Sequence, residues 1–241
     1  MDLLIYNKIK IYPDFKQTIE FKTPIVNLNA LTDLDKITRK RKNSNNRPDF
    51  SSVSRTRIAI KDIVLCNDFD WFCTFTFAKN RDDVDHCKTQ FSQWLKNQKP
   101  HSPNLTYLAV PEWHKDKKAI HFHVLLKNYA GAIKKTEFRT KKGFKVFQIP
   151  GYRLGYNTAV PIIKTNENKE KVANYITKYI SKELVSKYNK KRYWCSRGLL
   201  RPEEYSNIIR QSKYFNVDNL VFENDEVKIY KKYNDNVKME S

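Results

Sequence analysis

The sequence predicts a chain that mixes α-helices with antiparallel β-strands, and three patterns support this. Apolar and polar residues alternate over 70–77, with aromatic and β-branched side chains, which is typical of a strand. Two apolar runs, 105–112 and 120–126, are separated by a short polar turn and therefore predict a β-hairpin. Apolar residues recur at helical spacing over 82–96 and again over 168–187.

Weaker patterns predict the remaining elements. They are a strand or hairpin within 1–34, a short helix over 57–65, an irregular β-ribbon within 129–165, strand-like runs at 191–196, 214–223 and 226–233, a short helix beginning near Pro202, and a weakly structured tail over 223–241. No internal repeat accompanies them.

The charge of the chain predicts a polyanionic partner. Lys and Arg number 46 against 26 Asp and Glu, which gives a formal net charge of +20. Nucleic acid is the first candidate, because each neutralised phosphate releases condensed counterions, and a membrane surface is the competing one. The sequence has no apolar run approaching ~18 residues and no cleavable signal, so we expect a soluble, cytoplasmic protein without membrane partners.

Cysteines and glycines narrow the chemistry. The 4 Cys form no CxxC pair, so reduced thiols are expected rather than a zinc site or a disulfide framework. The 5 Gly form neither a GxxxxGK[ST] loop nor a GxGxxG turn. We therefore expect no nucleotide cofactor.

Two histidines suggest a metal site. His121 and His123 alternate along a predicted strand, so their imidazoles share one face and can hold one ion. Glu112 ends the partner strand of the hairpin and is the candidate third ligand. Two imidazoles and one carboxylate leave positions open, which suits Mg²⁺ or Mn²⁺ polarising a phosphate oxygen. The alternative interpretation is a half-buried polar pair; His114 is a second-choice ligand, although an exposed turn histidine is the commoner interpretation.

Two tyrosines on the helix predicted over 168–187 lie one turn apart. Tyr175 and Tyr179 border the apolar stripe, with Lys178 and Lys182 just beyond them. They are either amphipathic aromatics at the edge of a core or two phenol nucleophiles. A phenol with a pKa of about 10 is a poor nucleophile at neutral pH, so the second interpretation needs the ammonium groups to favour phenolate.

These motifs together carry a family resemblance. Thr74-Phe75-Thr76-Phe77, then Glu112 with His121-Phe122-His123, then Tyr175-Ile176-Thr177-Lys178-Tyr179-Ile180-Ser181-Lys182 occur in the order and approximate spacing of the three motifs of HUH endonucleases. The chain resembles the rolling-circle replication initiators of small phages and plasmids, in particular the two-tyrosine type. The resemblance covers roughly residues 54–202.

The resemblance implies an α+β fold that is ferredoxin- or RRM-like, with a central antiparallel sheet flanked by helices. It implies that His121, His123 and Glu112 bind Mg²⁺ or Mn²⁺. Tyr175 and Tyr179 would be nucleophiles assisted by Lys178 and Lys182. Such an enzyme nicks and rejoins single-stranded or hairpin origin DNA through a 5′-phosphotyrosine and leaves a 3′-OH primer. Its partners would be a host helicase and polymerase in a bacterial cell.

The resemblance also divides the chain. Residues 1–53 would be an N-terminal extension with a basic linker, 54–202 the endonuclease domain, and 203–241 a C-terminal extension packed on it or trailing from it. Basic patches at 36–57 and 187–201 are expected to bind the DNA backbone, although the first also fits a solvated linker. The candidate DNA-binding residues are Arg55, Arg57, Lys115, Arg192 and Arg197.

Some aromatic residues are candidates for stacking on splayed bases, with ordinary packing preferred for the last of them: Tyr152, Tyr156, Tyr193 and Trp194. Two rival functions remain. One is an HUH transposase or relaxase. The other is a non-catalytic DNA- or RNA-binding protein on an RRM-like sheet, whose binding would depend steeply on salt and need no metal.

Overall fold

A computed structural model of the chain describes residues 4–26, 50–114, 116, 118–180, 192–206 and 220–234. These residues form two compact units, Pro48–Leu200 and a second unit made of Met1–Arg47 with Arg201–Ser241. No helix in the described ranges is long and apolar enough to cross a membrane.

The described elements follow in chain order. They are β1 (Leu4–Ile11), β2 (Phe15–Val26), α1 (Phe50–Cys66), β3 (Trp71–Phe75), α2 (Val84–Gln98), β4 (Thr106–Trp113), β5 (Ile120–Lys127), β6 (Lys134–Arg139), β7 (Lys145–Gln148), β8 (Asn157–Pro161), α3 (Asn166–Thr177), β9 (Trp194–Cys195), β10 (Glu203–Ser206), β11 (Leu220–Glu223) and β12 (Val227–Tyr233).

The unit spanning 48–200 is built on a seven-stranded antiparallel sheet in the order β6-β7-β8-β3-β5-β4-β9. The predicted hairpin is β4–β5, and β5 lies between β4 and β3. With a second antiparallel sheet and three helices among the described residues, the protein is α+β. The predicted fold class is confirmed, and the architecture is consistent with a ferredoxin-like HUH fold.

The apolar core lies on one face of this sheet. Phe75 of β3 and Phe122 of β5 are fully buried there, and they pack on α2 through its buried residues Phe91 and Trp94. Since successive strand residues point to opposite faces, the neighbours of these phenylalanines face the other side of the sheet. That second face therefore receives Thr74, Thr76, His121 and His123.

The helices predicted over 57–65 and 82–96 are found as α1 and α2, the first considerably longer than predicted. The Asp83 carboxylate accepts hydrogen bonds from two backbone amides of the first turn of α2 and so fixes where that helix begins. The ribbon predicted within 129–165 corresponds to β6, β7 and β8.

The helix predicted over 168–187 is shorter than expected, because α3 ends at Thr177. The Thr177 hydroxyl donates to the carbonyl oxygens of Ala173 and Asn174, both at 3.0 Å. The amide of Lys178 then bonds to the Tyr175 oxygen, and the amides of the next two residues follow the same three-residue pattern. The chain thus tightens into a 3₁₀-like turn after α3. Residues 181–191 lie outside the described ranges.

The second unit contains a five-stranded antiparallel sheet in the order β10-β1-β2-β12-β11. The hairpin predicted within 1–34 is β1–β2. The helix predicted near Pro202 is wrong over Glu203–Ser206, which pairs with β1 and is held by a 3.1 Å ion pair between Lys10 and Glu204. The predicted weak tail is likewise wrong over Val227–Tyr233, which pairs with β2.

Candidate active site

The β4–β5 hairpin brings one carboxylate and two imidazoles to the same face of the sheet. Glu112 lies directly opposite His121, and His123 follows two residues further along β5. The Nε2 atom of His123 lies 2.7 Å from the Oε2 atom of Glu112. His123 is 6% exposed, whereas His121 is half-buried. One imidazole is thus held in place while the other stays accessible.

The other ring nitrogen of His123 is held from β3. Thr74 lies opposite His123 in the sheet, and its Oγ1 is 3.3 Å from the Nδ1 atom. This contact leaves Nε2 directed towards Glu112 and orients the imidazole from both sides. The sequence placed Thr74 in a motif without a role; its alternation on the side opposite Cys73 and Phe75 was the available signal.

The two tyrosines pack on the histidine face. The ring of Tyr179 stacks on His123 with centroids 3.6 Å apart and planes inclined by 13°. Tyr175 meets Tyr179 edge-on at 5.2 Å and Phe72 of β3 at 5.3 Å. The Phe72 ring is also 5.9 Å from His123, a contact that sequence reasoning missed. The tyrosines therefore lie side by side as predicted, next to the imidazole.

Burial and hydrogen bonding set the protonation of this cluster. Burial first, then a side-chain hydrogen bond with Tyr175, raises the pKa of Tyr179 far above that of a free phenol. Burial also lowers the pKa of His121, with a further contribution from His123, although the Glu112 carboxylate opposes it. At neutral pH, Tyr179 is thus a phenol in this arrangement and His121 a neutral imidazole with a free lone pair.

The predicted lysines have different outcomes. The Lys178 ammonium is 5.8 Å from the ring centroid of Tyr175 and exposed, so a cation accompanies the more exposed tyrosine. Lys182 and Lys115, predicted to assist catalysis and to bind DNA respectively, lie outside the described residues.

Two of the predicted DNA-binding arginines hold the unit together. Arg57 of α1 donates to the carbonyl oxygen of Ile180 at 3.0 Å, which ties α1 to the turn after α3. Arg192 donates to the Thr56 hydroxyl at 3.0 Å. Arg55 and Arg197 are exposed. Structural contacts and DNA binding are compatible for a side chain that is not fully buried, so all four stay candidates.

The aromatic candidates for base stacking separate by exposure. Tyr152 is buried and donates from its hydroxyl to the Thr76 carbonyl oxygen at 2.8 Å, so its prediction as an exposed stacking residue is wrong. Trp194 packs on Phe122 at 5.7 Å, in line with the packing interpretation. Tyr193 is half-buried, and Tyr156 is 52% exposed.

The donor set resembles an incomplete metal site. Within the described ranges, no three His, Cys, Asp or Glu side chains lie together closely enough to hold an ion as they stand. The Nε2 of His123 and Oε2 of Glu112, however, have the 2.7 Å separation of two ligands on one small cation with bonds of roughly 2.1 Å. His121 offers a third donor on the same face. His114 is exposed, with its Nδ1 3.1 Å from an Asp116 oxygen.

Comparison with known proteins adds one match. Residues 70–184 match the family model of replication-associated proteins of the ORF2 type. The match covers slightly less than half of the 241 residues, and it runs from the start of β3 past α3, so it contains both histidines, Glu112 and both tyrosines. It supports a Rep-like replication initiator and a role in starting DNA replication. No curated protein and no solved structure is significantly similar to the chain.

Proposed function

We propose that the protein is a rolling-circle replication initiator that nicks and rejoins single-stranded origin DNA through a 5′-phosphotyrosine. The observation that carries this proposal is the stack of Tyr179 on His123, because His123 is bonded in turn to Glu112. Residues from β4, β5 and the turn after α3 thereby meet at one point. The similarity of residues 70–184 to a replication-associated family supports the same conclusion.

The proposed cation is Mg²⁺ or Mn²⁺, held by His121, His123 and Glu112. When bound, it would withdraw charge from an oxygen of the scissile phosphate. The chain itself supports this role in two ways. Thr74 orients His123, and the lowered pKa of His121 keeps that imidazole neutral, the form in which it can donate a lone pair.

Tyr175 is the proposed first nucleophile, since it is 47% exposed whereas Tyr179 is stacked and half-buried. Its phenol gives up its proton, and the oxygen forms a bond to the phosphorus while the bond from phosphorus to the 3′ oxygen breaks. The released oxygen takes up a proton and becomes the 3′-OH primer. Lys178, beside the Tyr175 ring, offsets the negative charge that gathers there.

Tyr179 is the proposed second nucleophile. Its hydroxyl is engaged by Tyr175 and its pKa is raised, which keeps it a phenol while the first tyrosine is free. After a round of synthesis it would attack the regenerated origin, and the freed 3′-OH would then displace Tyr175 and reseal the first end. Each exchange replaces one phosphate ester with another, so rejoining consumes no nucleotide.

The partners follow from this chemistry. The net charge of +20 favours DNA, and the substrate is origin DNA in single-stranded or extruded hairpin form. The 3′-OH would prime a host polymerase, and strand separation would come from a host helicase.

A covalent-adduct assay tests the proposal. The protein is incubated with Mn²⁺ and labelled single-stranded oligonucleotides that tile the cognate replicon, and the products are separated on a denaturing gel. We expect a slowly migrating adduct that chelation by EDTA abolishes. Tyr175→Phe should remove the initial adduct. Tyr205→Phe, which alters an exposed tyrosine of the second unit, is the matched control and should leave it unchanged.

The same assay separates the rival functions. A non-catalytic nucleic-acid-binding protein would bind the oligonucleotides without metal and give no adduct across the whole set. An adduct that persists in the Tyr175→Phe/Tyr179→Phe double variant would overturn the assignment of both nucleophiles.

A further inference from the structure

The ribbon formed by β6, its turn and β7, residues 134–148, is strongly cationic. It contains six basic residues and one acidic residue, Glu137. All six are exposed, and in the described part of the chain no ion pair neutralises any of its lysines. The basic residues are Lys134, Lys135, Arg139, Lys141, Lys142 and Lys145.

The ribbon places like charges side by side. Arg139 lies directly opposite Lys145, an arrangement that destabilises a strand pair unless an anion lies between the two. The Arg139 guanidinium donates to the Gly143 carbonyl oxygen at 2.9 Å and is thereby drawn to the ribbon tip. Positive charge is thus gathered at the tip without a carboxylate to balance it.

The tip is an ordered turn and not a loose loop. The Gly143 amide donates to the Thr140 oxygen at 2.8 Å, and the Thr140 amide donates to the Phe144 oxygen at 2.9 Å. Gly143 has a φ of 83°, a left-handed conformation that closes such a hairpin and disfavours other residues. Lys141 and Lys142 are therefore presented at a defined position.

Two large aromatic rings accompany these cations. Phe138 is 65% exposed and Phe144 is 41% exposed. Phe147 of β7 lies opposite Ala159 on the core side, so alternation puts Phe144 on the other side of the sheet, the side of the histidines. Phe138 precedes Arg139, which shares the side of Phe147 through its pairing with Lys145, so Phe138 also faces the histidine side.

The ribbon lies within reach of the candidate active site along the sheet. From β7 to β5 the order passes through β8 and β3. Three strand spacings amount to roughly 14 Å, a distance that a few nucleotides of a single strand span.

We propose that the β6–β7 ribbon binds single-stranded DNA beside the nicking site, with Phe138 and Phe144 stacking on unpaired bases and the ribbon cations holding phosphates. The aromatic rings favour a single strand over a duplex, because base faces are open to stacking only when bases are unpaired. This inference rests on the proposed function in that the bound strand is the one that is nicked.

The test measures DNA binding without cleavage. Full-length protein is titrated in EDTA against a fluorescent oligothymidylate of about 20 nucleotides, longer than the sites of typical single-strand-binding folds. We expect Phe138→Ala/Phe144→Ala to weaken binding by about fivefold or more, the effect of one lost base stack. Phe138→Tyr/Phe144→Tyr should restore it. Lys141→Ala/Lys142→Ala should lower the slope of log affinity against log salt by about 1.4, or about 0.7 per phosphate contact.

Lys96→Ala/Lys99→Ala is the matched control, since it removes the same charge from exposed positions on or directly after α2, the helix on the core side of the sheet. It should change neither affinity nor slope by a comparable amount. Equal losses in this control and in the ribbon variants, or wild-type binding by Phe138→Ala/Phe144→Ala, would overturn the proposal. An equal loss on a duplex of the same sequence composition would also overturn it, since stacking requires unpaired bases.

A measurement on the wild-type protein guards against misfolding of the variants. Photo-crosslinking with an oligonucleotide containing 5-iodo-deoxyuridine, followed by peptide mapping, should mark the peptide with Phe138 or Phe144. Crosslinks confined to other peptides would contradict the proposal. Because none of these measurements needs cleavage, a missing covalent adduct together with intact ribbon binding would refute only the nicking function.

Discussion

The ring of Tyr179 lies nearly parallel to the imidazole of His123, with 3.6 Å between their centroids. The same imidazole is bonded to Glu112 through Nε2 and contacts Thr74 through Nδ1. Tyr179 thus covers the one histidine that the sheet already fixes at both nitrogens. Its ring and its hydroxyl have separable tasks, packing and chemistry, and different substitutions distinguish them.

Tyr179→Phe keeps the stacked ring and removes only the hydroxyl. We expect its free energy of unfolding to change by less than about 1 kcal/mol, because one partly exposed hydrogen bond is lost. The first covalent adduct should form, whereas transfer of the bound strand to a second origin oligonucleotide should fall to background. Urea denaturation and a strand-transfer gel measure the two effects.

Tyr179→Ala serves as the comparison, since it also deletes the stack. It should lower the free energy of unfolding by about 1–3 kcal/mol, less than for a fully buried aromatic residue. Strand transfer by Tyr179→Phe at the wild-type rate would refute Tyr179 as the second nucleophile.

Thr74→Val keeps the shape of the side chain and removes the hydroxyl that contacts His123. Without this contact the imidazole loses one of its two orienting partners, so we expect Mn²⁺ affinity to fall by about 10–100-fold. Isothermal titration calorimetry measures the affinity. The free energy of unfolding, followed by urea denaturation, should change by about 1 kcal/mol.

Thr158→Val is the matched control for that substitution. Thr158 lies opposite Thr74 on β8, so it shares the same face of the sheet one strand further from His123. It should leave Mn²⁺ affinity unchanged. If both variants lose affinity equally, the effect belongs to the sheet surface in general and not to the contact between Thr74 and His123.

Local patterns were sufficient to predict the metal-binding half of the candidate site. A period of two placed His121 and His123 on one face, and the short turn between two apolar runs placed Glu112 beside them, because a hairpin sets its register over a few residues. The outer contacts of His123 were beyond such rules. They involve Thr74 and Tyr179, which lie far from His123 in the chain and reach it only through sheet order and helix docking.

The wrong predictions have the same physical origin. Glu203–Ser206 forms a strand because a distant segment, β1, offers an edge and Lys10 offers an ion pair, and no local pattern reveals either partner. Helical spacing continued past Thr177, but the carbonyl oxygens that would continue the helix are taken by the Thr177 hydroxyl. Tyr152 was predicted to be exposed although the fold buries its ring.

Gly155→Ala should destabilise the unit that carries the site. A Cβ atom at this position would lie 2.3 Å from the Thr76 carbonyl oxygen, which is backbone and cannot move aside without disturbing the end of β3. We expect a loss of about 1–3 kcal/mol in the free energy of unfolding, typical of overpacking. Urea denaturation measures it.

Gly151→Ala is the control for this crowding. A Cβ atom there would approach nothing closer than the Tyr129 hydroxyl at 3.7 Å, an ordinary contact. Its stability should stay within about 0.5 kcal/mol of wild type. If Gly155→Ala is equally mild, the close approach of residue 155 to β3 is not required for the fold.

Glu112→Gln tests the proposed metal site most directly. The amide oxygen can still accept a hydrogen bond from His123, so the fold should persist, but the negative charge that a divalent cation requires is gone. We expect Mn²⁺ affinity to fall by more than the roughly 100-fold caused by losing a group that only orients a ligand. The metal-dependent adduct should disappear with it, and an excess of Mn²⁺ should restore part of the adduct if the loss is one of affinity. His114→Ala, which alters the exposed histidine bonded to Asp116, should bind Mn²⁺ as the wild type does. Wild-type affinity in Glu112→Gln with a loss in His114→Ala would move the third ligand from Glu112 to His114.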